Sequence, residues 1–282
     1  MGRTSRPRVW PGGMPRRSDV DFERQLVGRC ATVVGSRELP LVHVTASWPA
    51  QEILKKKKLL PSKCPIFQVE LLYFFVLRPA YKDKLGREPS HQVSRFPFVF
   101  AVRPEGVDPP RHVYPFDTGA AATGAFASQA DKYVQLEDYA LENSHRAIRS
   151  FIKWAFGSIE SYFDAELRLD VREDVAASES VVISYLDIAR MGFEGSNRHD
   201  TRASTIEVAS DHAVSLDFAC LLIYPKQFLE ANKTLVKIFK EMKGKGVSLR
   251  GYDWQPNRSP DEFQKDIMSI SKAWFKSNGY LS

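Results

Sequence analysis

Three short runs constrain the fold most: Val69–Leu77 (VELLYFFVL), Phe96–Val102 (FPFVFAV) and Phe218–Tyr224 (FACLLIY). Each is nearly continuous in apolar residues, rich in aromatic and branched side chains, and far shorter than the roughly 18 residues a spanning helix needs. Such runs suit strands covered on both faces, so the chain is expected to build a sheet with layers packed against each side. Pro97 points to an edge or a first position for the second strand, and Pro225 ends the third.

Around these runs the remaining pattern is mixed. Leu39–Val44 (LPLVHV), Val181–Tyr185 and Ser204–Val208 read as further strands. Asp19–Arg29 reads as a short helix with Phe22, Leu26 and Val27 on one face, and Pro49–Leu59 as another. The second carries four lysines, Lys55–Lys58, near its negative end; they read either as a solvated face or as phosphate-facing. Lys132–Phe156 has broadly helical spacing and a stop at Gly157. Lys226–Met242 repeats an apolar stripe through Phe228, Leu235, Val236 and Phe239. Ser259-Pro260-Asp261-Glu262 then supplies a cap, a first-turn proline and acids for a last helix that finishes before Gly279.

No repeat or linker divides the body. The expected fold class is α+β, with a disordered basic tail over residues 1–18, one domain over 19–225 and a helical C-terminal extension, 226–282, packed on the same domain. The apolar fraction of 43% and charged fraction of 26% are those of an ordinary globular chain. The net charge of +6 lies almost wholly in the tail, where Arg3, Arg6, Arg8, Arg16 and Arg17 meet no acid; the rest holds 35 cations against 34 acids. A basic pI therefore does not make the folded body a nucleic-acid binder. Three scattered cysteines and the lack of an apolar leader lead us to expect a cytoplasmic protein with reduced thiols and no membrane partner.

Familiar catalytic motifs do not occur. There is no GxxxxGK[ST], no GxGxxG after a strand, no CxxC, HExxH or PCxxC, and no GxSxG. No metal is expected. Cys64, before a proline and a strand, reads as structural rather than as a catalytic thiol. What remains are polar residues set in or beside apolar strands, where a polar group is partnered or functional. His43 and Thr45 alternate along one strand and so share a face. Arg78 follows VELLYFFVL directly and always carries its charge. Glu207 sits between Ile206 and Val208. Taken singly, they read equally as a hydrogen-bonded histidine, a snorkelling arginine and a solvated glutamate.

Their order resembles the ADP-ribosyltransferase fold, and within it the DarT type of DNA ADP-ribosyltransferases. The similarity lies in a strand with His43-Val44-Thr45, the helix and loop of Pro49–Leu60, and the aromatic strand ending Tyr73-Phe74-Phe75-Val76-Leu77-Arg78-Pro79-Ala80-Tyr81. Downstream, Ile206-Glu207-Val208 follows the loop Gly192-Phe193-Glu194-Gly195-Ser196-Asn197-Arg198. It covers roughly residues 40–225, and the insertion Arg103–Tyr133 and the C-terminal section depart from it.

The resemblance implies an NAD-dependent mono-ADP-ribosyltransferase. Glu207 and Arg78 would be catalytic, and His43, Thr45, Tyr73 and Tyr81 would bind NAD as co-substrate. Losing nicotinamide from its ribose develops oxocarbenium-like charge that a carboxylate such as Glu207 stabilises. His43 and Thr45 would hydrogen-bond the adenosine-side ribose and the nicotinamide amide region, and Tyr73 would offer a stacking wall. Arg78 would contact the phosphates or orient the acceptor.

Arg190, Arg198, His199 and Arg202 outweigh Glu194 and Asp200 around the loop before Glu207, which together with the tail favours a nucleic-acid acceptor, single-stranded DNA or RNA. A toxin or anti-phage defence effector, with an antitoxin or regulatory partner, is the role this implies. Alternatives are a protein-directed transferase, a non-catalytic or antitoxin-like binding protein of the same fold, and a metal nuclease using Asp164, Glu166 and Asp170. The last lacks the lysine usual beside such acids. Tyr114–Phe126 stays without a role, with Asp117 either lining the site or closing an Asx turn.

Overall fold

The computed structural model describes residues 25–30, 37–80, 88–131, 133–193, 195, 199–230 and 232–282. The basic tail, Tyr81, Glu194 and Arg198 lie outside the described residues, as does most of the helix expected over Asp19–Arg29, of which a 3-10 turn at Val27–Arg29 is described. Ten strands and seven α-helices are present among the described residues. The strands are β1 Leu41–Ala46, β2 Lys58–Leu59, β3 Ser62–Lys63, β4 Glu70–Val76, β5 Pro97–Val102, β6 His112–Tyr114, β7 Glu207–Ser210, β8 Val214–Ser215, β9 Ala219–Pro225 and β10 Ser248–Tyr252. The helices are α1 Ser47–Lys56, α2 Thr118–Ala122, α3 His145–Phe156, α4 Ile159–Phe163, α5 Ser180–Ala189, α6 Lys233–Gly244 and α7 Gln264–Ser277. The class is mixed α and β with a mixed sheet. No helix among the described residues is long and apolar enough to cross a membrane.

The chain forms two compact units, each assembled from two segments. Arg37–Arg111 with Val208–Ser282 holds the sheet, in the order β10-β9-β5-β1-β4-β7, with β3 added on β4. The apolar runs occupy its interior, as continuous hydrophobicity requires: Phe74, Phe98, Phe100, Leu222 and Ile223 are fully buried. Pro97 opens β5 at a first position, where its missing N–H is tolerated, although β5 itself lies between β1 and β9. β1 pairs antiparallel with β5, placing His43 opposite Phe100 and Thr45 opposite Phe98. Phe98 meets Tyr224, Phe228 and Phe239, so α6 caps this aromatic layer.

The C-terminal section is not purely helical, because β10 pairs parallel with β9 and extends the sheet. Its sequence, SLRGY, is short and only half-buried, which hid it among helical neighbours. The last helix follows its cap signal: Ser259 and Glu262 form a reciprocal capping box ahead of α7, and Gly279 takes a positive φ beyond it. The expected helix at Lys226 begins later, at Lys233, after a 3-10 turn, with the Asn232 side chain accepting from Leu235 N–H.

His112–Glu207 with the described part of Met1–Ser36 forms the helical unit. Two expectations fail here. Val181–Tyr185 is not a strand but part of α5, whose Val181 and Val182 are buried together with Leu186, Ile188 and Ala189; packing overrides their strand preference. Lys132–Phe156 is not one helix. Leu136–Tyr139 is a 3-10 turn, Leu141 bridges Val113, and α3 starts afresh at His145 with Ser144 accepting from Ala147 N–H. Ser204–Val208 also shifts: Thr201–Ser204 is a 3-10 turn and the strand runs from Glu207 to Ser210.

Candidate functional site

In the sheet unit, three sequence candidates meet at one cavity. His43, Thr45 and Tyr73 line a cleft of about 330 Å³, with Leu59, Leu71 and Leu72 among its apolar walls. The volume lies in the range of small-molecule sites. Helix α1, expected to run to Leu59, ends at Lys56. Lys57 adopts a left-handed conformation (φ 54°) and turns the chain back into β2, which pairs with β8. That reversal brings Leu59 into the wall of the cleft.

The His43 ring is fixed by its neighbours. Its Nδ1 lies 2.9 Å from the Tyr73 carbonyl oxygen, and the ring packs against Phe74 and Phe100. A carbonyl only accepts, so Nδ1 carries the proton and Nε2 is left as an acceptor. Burial holds the His43 pKa below the ordinary histidine value, outweighing the contrary pull of the Tyr73 carbonyl, so the neutral imidazole persists. Half-buried Thr45 keeps its hydroxyl uncommitted among the described residues. The Tyr73 hydroxyl donates to Cys64 Sγ at 2.8 Å, which immobilises the phenol and leaves its ring to form wall. Cys64 is thus a buried acceptor, receiving the Ile66 N–H as well.

Arg78 is not among the described residues lining this cleft. It is 2% exposed, so it does not snorkel. It follows Leu77, whose φ of 56° is left-handed, and its own N–H turns back to the Val76 carbonyl.

In the helical unit, Glu207 is no solvated carboxylate: it is 3% exposed. Thr118, fully buried, holds both of its oxygens, the hydroxyl donating to Oε1 at 2.6 Å and the backbone N–H to Oε2 at 3.2 Å. His112 Nε2 lies 3.9 Å from Oε1, and the His112 ring meets Tyr114 edge-on. Burial raises the Tyr114 pKa, with Glu137, Glu207 and Asp138 adding to it, so the phenol stays protonated. Asp117 caps α2, its Oδ1 accepting from Ala120 N–H at 2.7 Å, and Asp117 N–H donates to the Arg202 carbonyl. Burial raises its pKa as well. The segment Tyr114–Gly119, left without a role on sequence grounds, therefore carries the clamp on Glu207 at Thr118. The Asx-type cap was legible, but Thr118 and His112 as partners of Glu207 were not.

Gly192 and Ser204 approach closely ahead of Glu207. A Cβ on Gly192 would stand 1.9 Å from Ser204 Oγ, so only glycine allows this approach. Arg202 grips Asp200 through two bonds, and Arg190 pairs with Asp187, so these two cations of the basic balance read from the sequence are matched by acids. Phe193 stands half-exposed at a groove of about 980 Å³ that Arg168 and Arg190 also line. Asp170 is engaged by Arg168, and no group of three or more His, Cys, Asp or Glu side chains is placed to share a metal ion among the described residues. Compared with known proteins, the chain matches no protein-family model and no curated sequence.

Proposed function

We propose that this protein is an NAD-dependent mono-ADP-ribosyltransferase. The observation that carries the reading is the cleft in which His43 and Thr45, neighbours on one face of β1, are joined by Tyr73 from β4. A neutral His43 offers Nε2 as an acceptor and Thr45 offers a hydroxyl, a pairing suited to ribose hydroxyls and a carboxamide. The dinucleotide supplies a glycosidic bond whose rupture leaves positive charge on the ribose. Glu207 is not among the described residues that line the cleft; the resemblance is what assigns it the part of the carboxylate that offsets that charge, and Thr118 holds it in one orientation.

A nucleic-acid strand is the acceptor we favour, supported by the five tail arginines and by an exposed Phe193 at the groove, a ring suited to base stacking. A toxin or defence effector held in check by a partner is the role proposed with it. The test is nicotinamide release from NAD by purified protein in EDTA, alone and with single-stranded DNA, RNA or lysate. Release by wild type that is lost in Glu207→Gln supports the reading, and the stimulating polymer names the acceptor. No release under any condition, together with no NAD binding by calorimetry, overturns it.

A further inference from the structure

The four-lysine run divides into two pairs with different surroundings. Lys55 Nζ bonds Glu52 at 2.9 Å and Lys57 Nζ bonds Glu241 at 3.0 Å, so both are neutralised locally. Lys56 and Lys58 line the cleft instead. The left-handed Lys57 produces this split: it turns its own side chain toward α6 while its neighbours border one opening. Glu52 is the acid among the lining residues, and Lys55 engages its carboxylate. The cleft therefore has a polar side of His43 and Thr45, leucine walls, and two cations, Lys56 and Lys58, that form no ion pair among the described residues, although the Glu52 carboxylate held by Lys55 also feels the Lys56 charge.

We propose that Lys56 and Lys58 form a phosphate-binding rim, which makes the occupant of this cleft a phosphate-bearing ligand with its sugar toward His43 and Thr45. Its assignment to the diphosphate of NAD rests on the function proposed above. An ammonium holds phosphate as a point charge through rotatable donors, which suits exposed side chains on a turn and makes binding salt-sensitive.

Calorimetric titration of the full chain with NAD, nicotinamide riboside and inorganic diphosphate, at low and raised salt, tests this. Lys56→Gln/Lys58→Gln should weaken NAD by about tenfold, equivalent to about 1.4 kcal/mol, and flatten its salt dependence, while leaving the phosphate-free riboside unchanged. Lys55→Gln/Lys57→Gln should leave NAD affinity unchanged. All four positions are exposed, so the fold tolerates the changes. NAD binding that survives in Lys56→Gln/Lys58→Gln overturns the rim and spares the function. Diphosphate binding through these lysines without NAD binding sustains the rim and overturns the function. A wild type that binds neither ligand overturns both.

Discussion

Replacing Thr118 with valine removes one hydrogen-bond donor from a buried carboxylate and almost nothing else. The side chain keeps its shape, and the backbone N–H still reaches Glu207 Oε2 at 3.2 Å. What disappears is the 2.6 Å hydroxyl bond to Oε1, between a residue that is fully buried and one that is 3% exposed. Water cannot replace the donor there, and a hydrogen bond to a charged group contributes about 1.5–3 kcal/mol. Thr118→Val should therefore lower stability by about 2 kcal/mol. Thr118→Ser keeps the hydroxyl and loses only a methyl, worth about 0.8 kcal/mol. Urea unfolding followed by circular dichroism reads both. The decisive comparison is a double-mutant cycle with Glu207→Gln, because an amide oxygen accepts a weaker bond than a carboxylate. Thr118→Val should then cost about 1 kcal/mol. A loss under about 0.5 kcal/mol, or an equal loss in both backgrounds, would refute the clamp.

Three further outcomes follow from the geometry. His43 is held neutral by burial, so as pH falls below its ordinary value of 6.5 the unfolded chain takes up a proton that the fold refuses; stability should decline on that side, and His43→Gln should flatten the decline in pH-dependent unfolding. Gly192→Ala should destabilise by about 1–3 kcal/mol, because its Cβ would meet Ser204 side-chain atoms at 1.9 and 2.5 Å; an unchanged thermal midpoint would count against that packing. Burial pushes the Cys30 thiol up to about 11 and the Cys220 thiol up to about 12, so iodoacetamide at neutral pH should label the native chain far more slowly than the unfolded one, with peptide mass spectrometry as the readout.

The parts of the fold legible in the sequence were those whose signal is local. The cores of β4, β5 and β9 announce themselves because a strand covered on both faces needs no alternation. His43 and Thr45 could be placed on a common face from spacing alone, and the capping box of Ser259 and Glu262 is a four-residue pattern. Where the deciding contact is distant, local reading failed. Val181, Val182 and Ile183 look like a strand until α5 is seen buried on several sides. Thr118 and Glu207 are 89 residues apart, and nothing near either one names the other. Two of the loop arginines counted toward a basic surface are matched, Arg190 to Asp187 and Arg202 to Asp200, within two or three residues of themselves.

The alternation along β1 carries a consequence for how such a chain can change. Val42 and Val44 are buried, while His43 and Thr45, alternating with them, line the cleft. Val42 and Val44 answer to the packing of the sheet alone, and His43 and Thr45 answer also to whatever occupies the cavity. A substitution at 43 or 45 can therefore alter ligand preference while the hydrophobic layer beneath stays intact. A one-residue slip against β5 would exchange the two sets at once. Stability guards the frame, and specificity is free to drift within it.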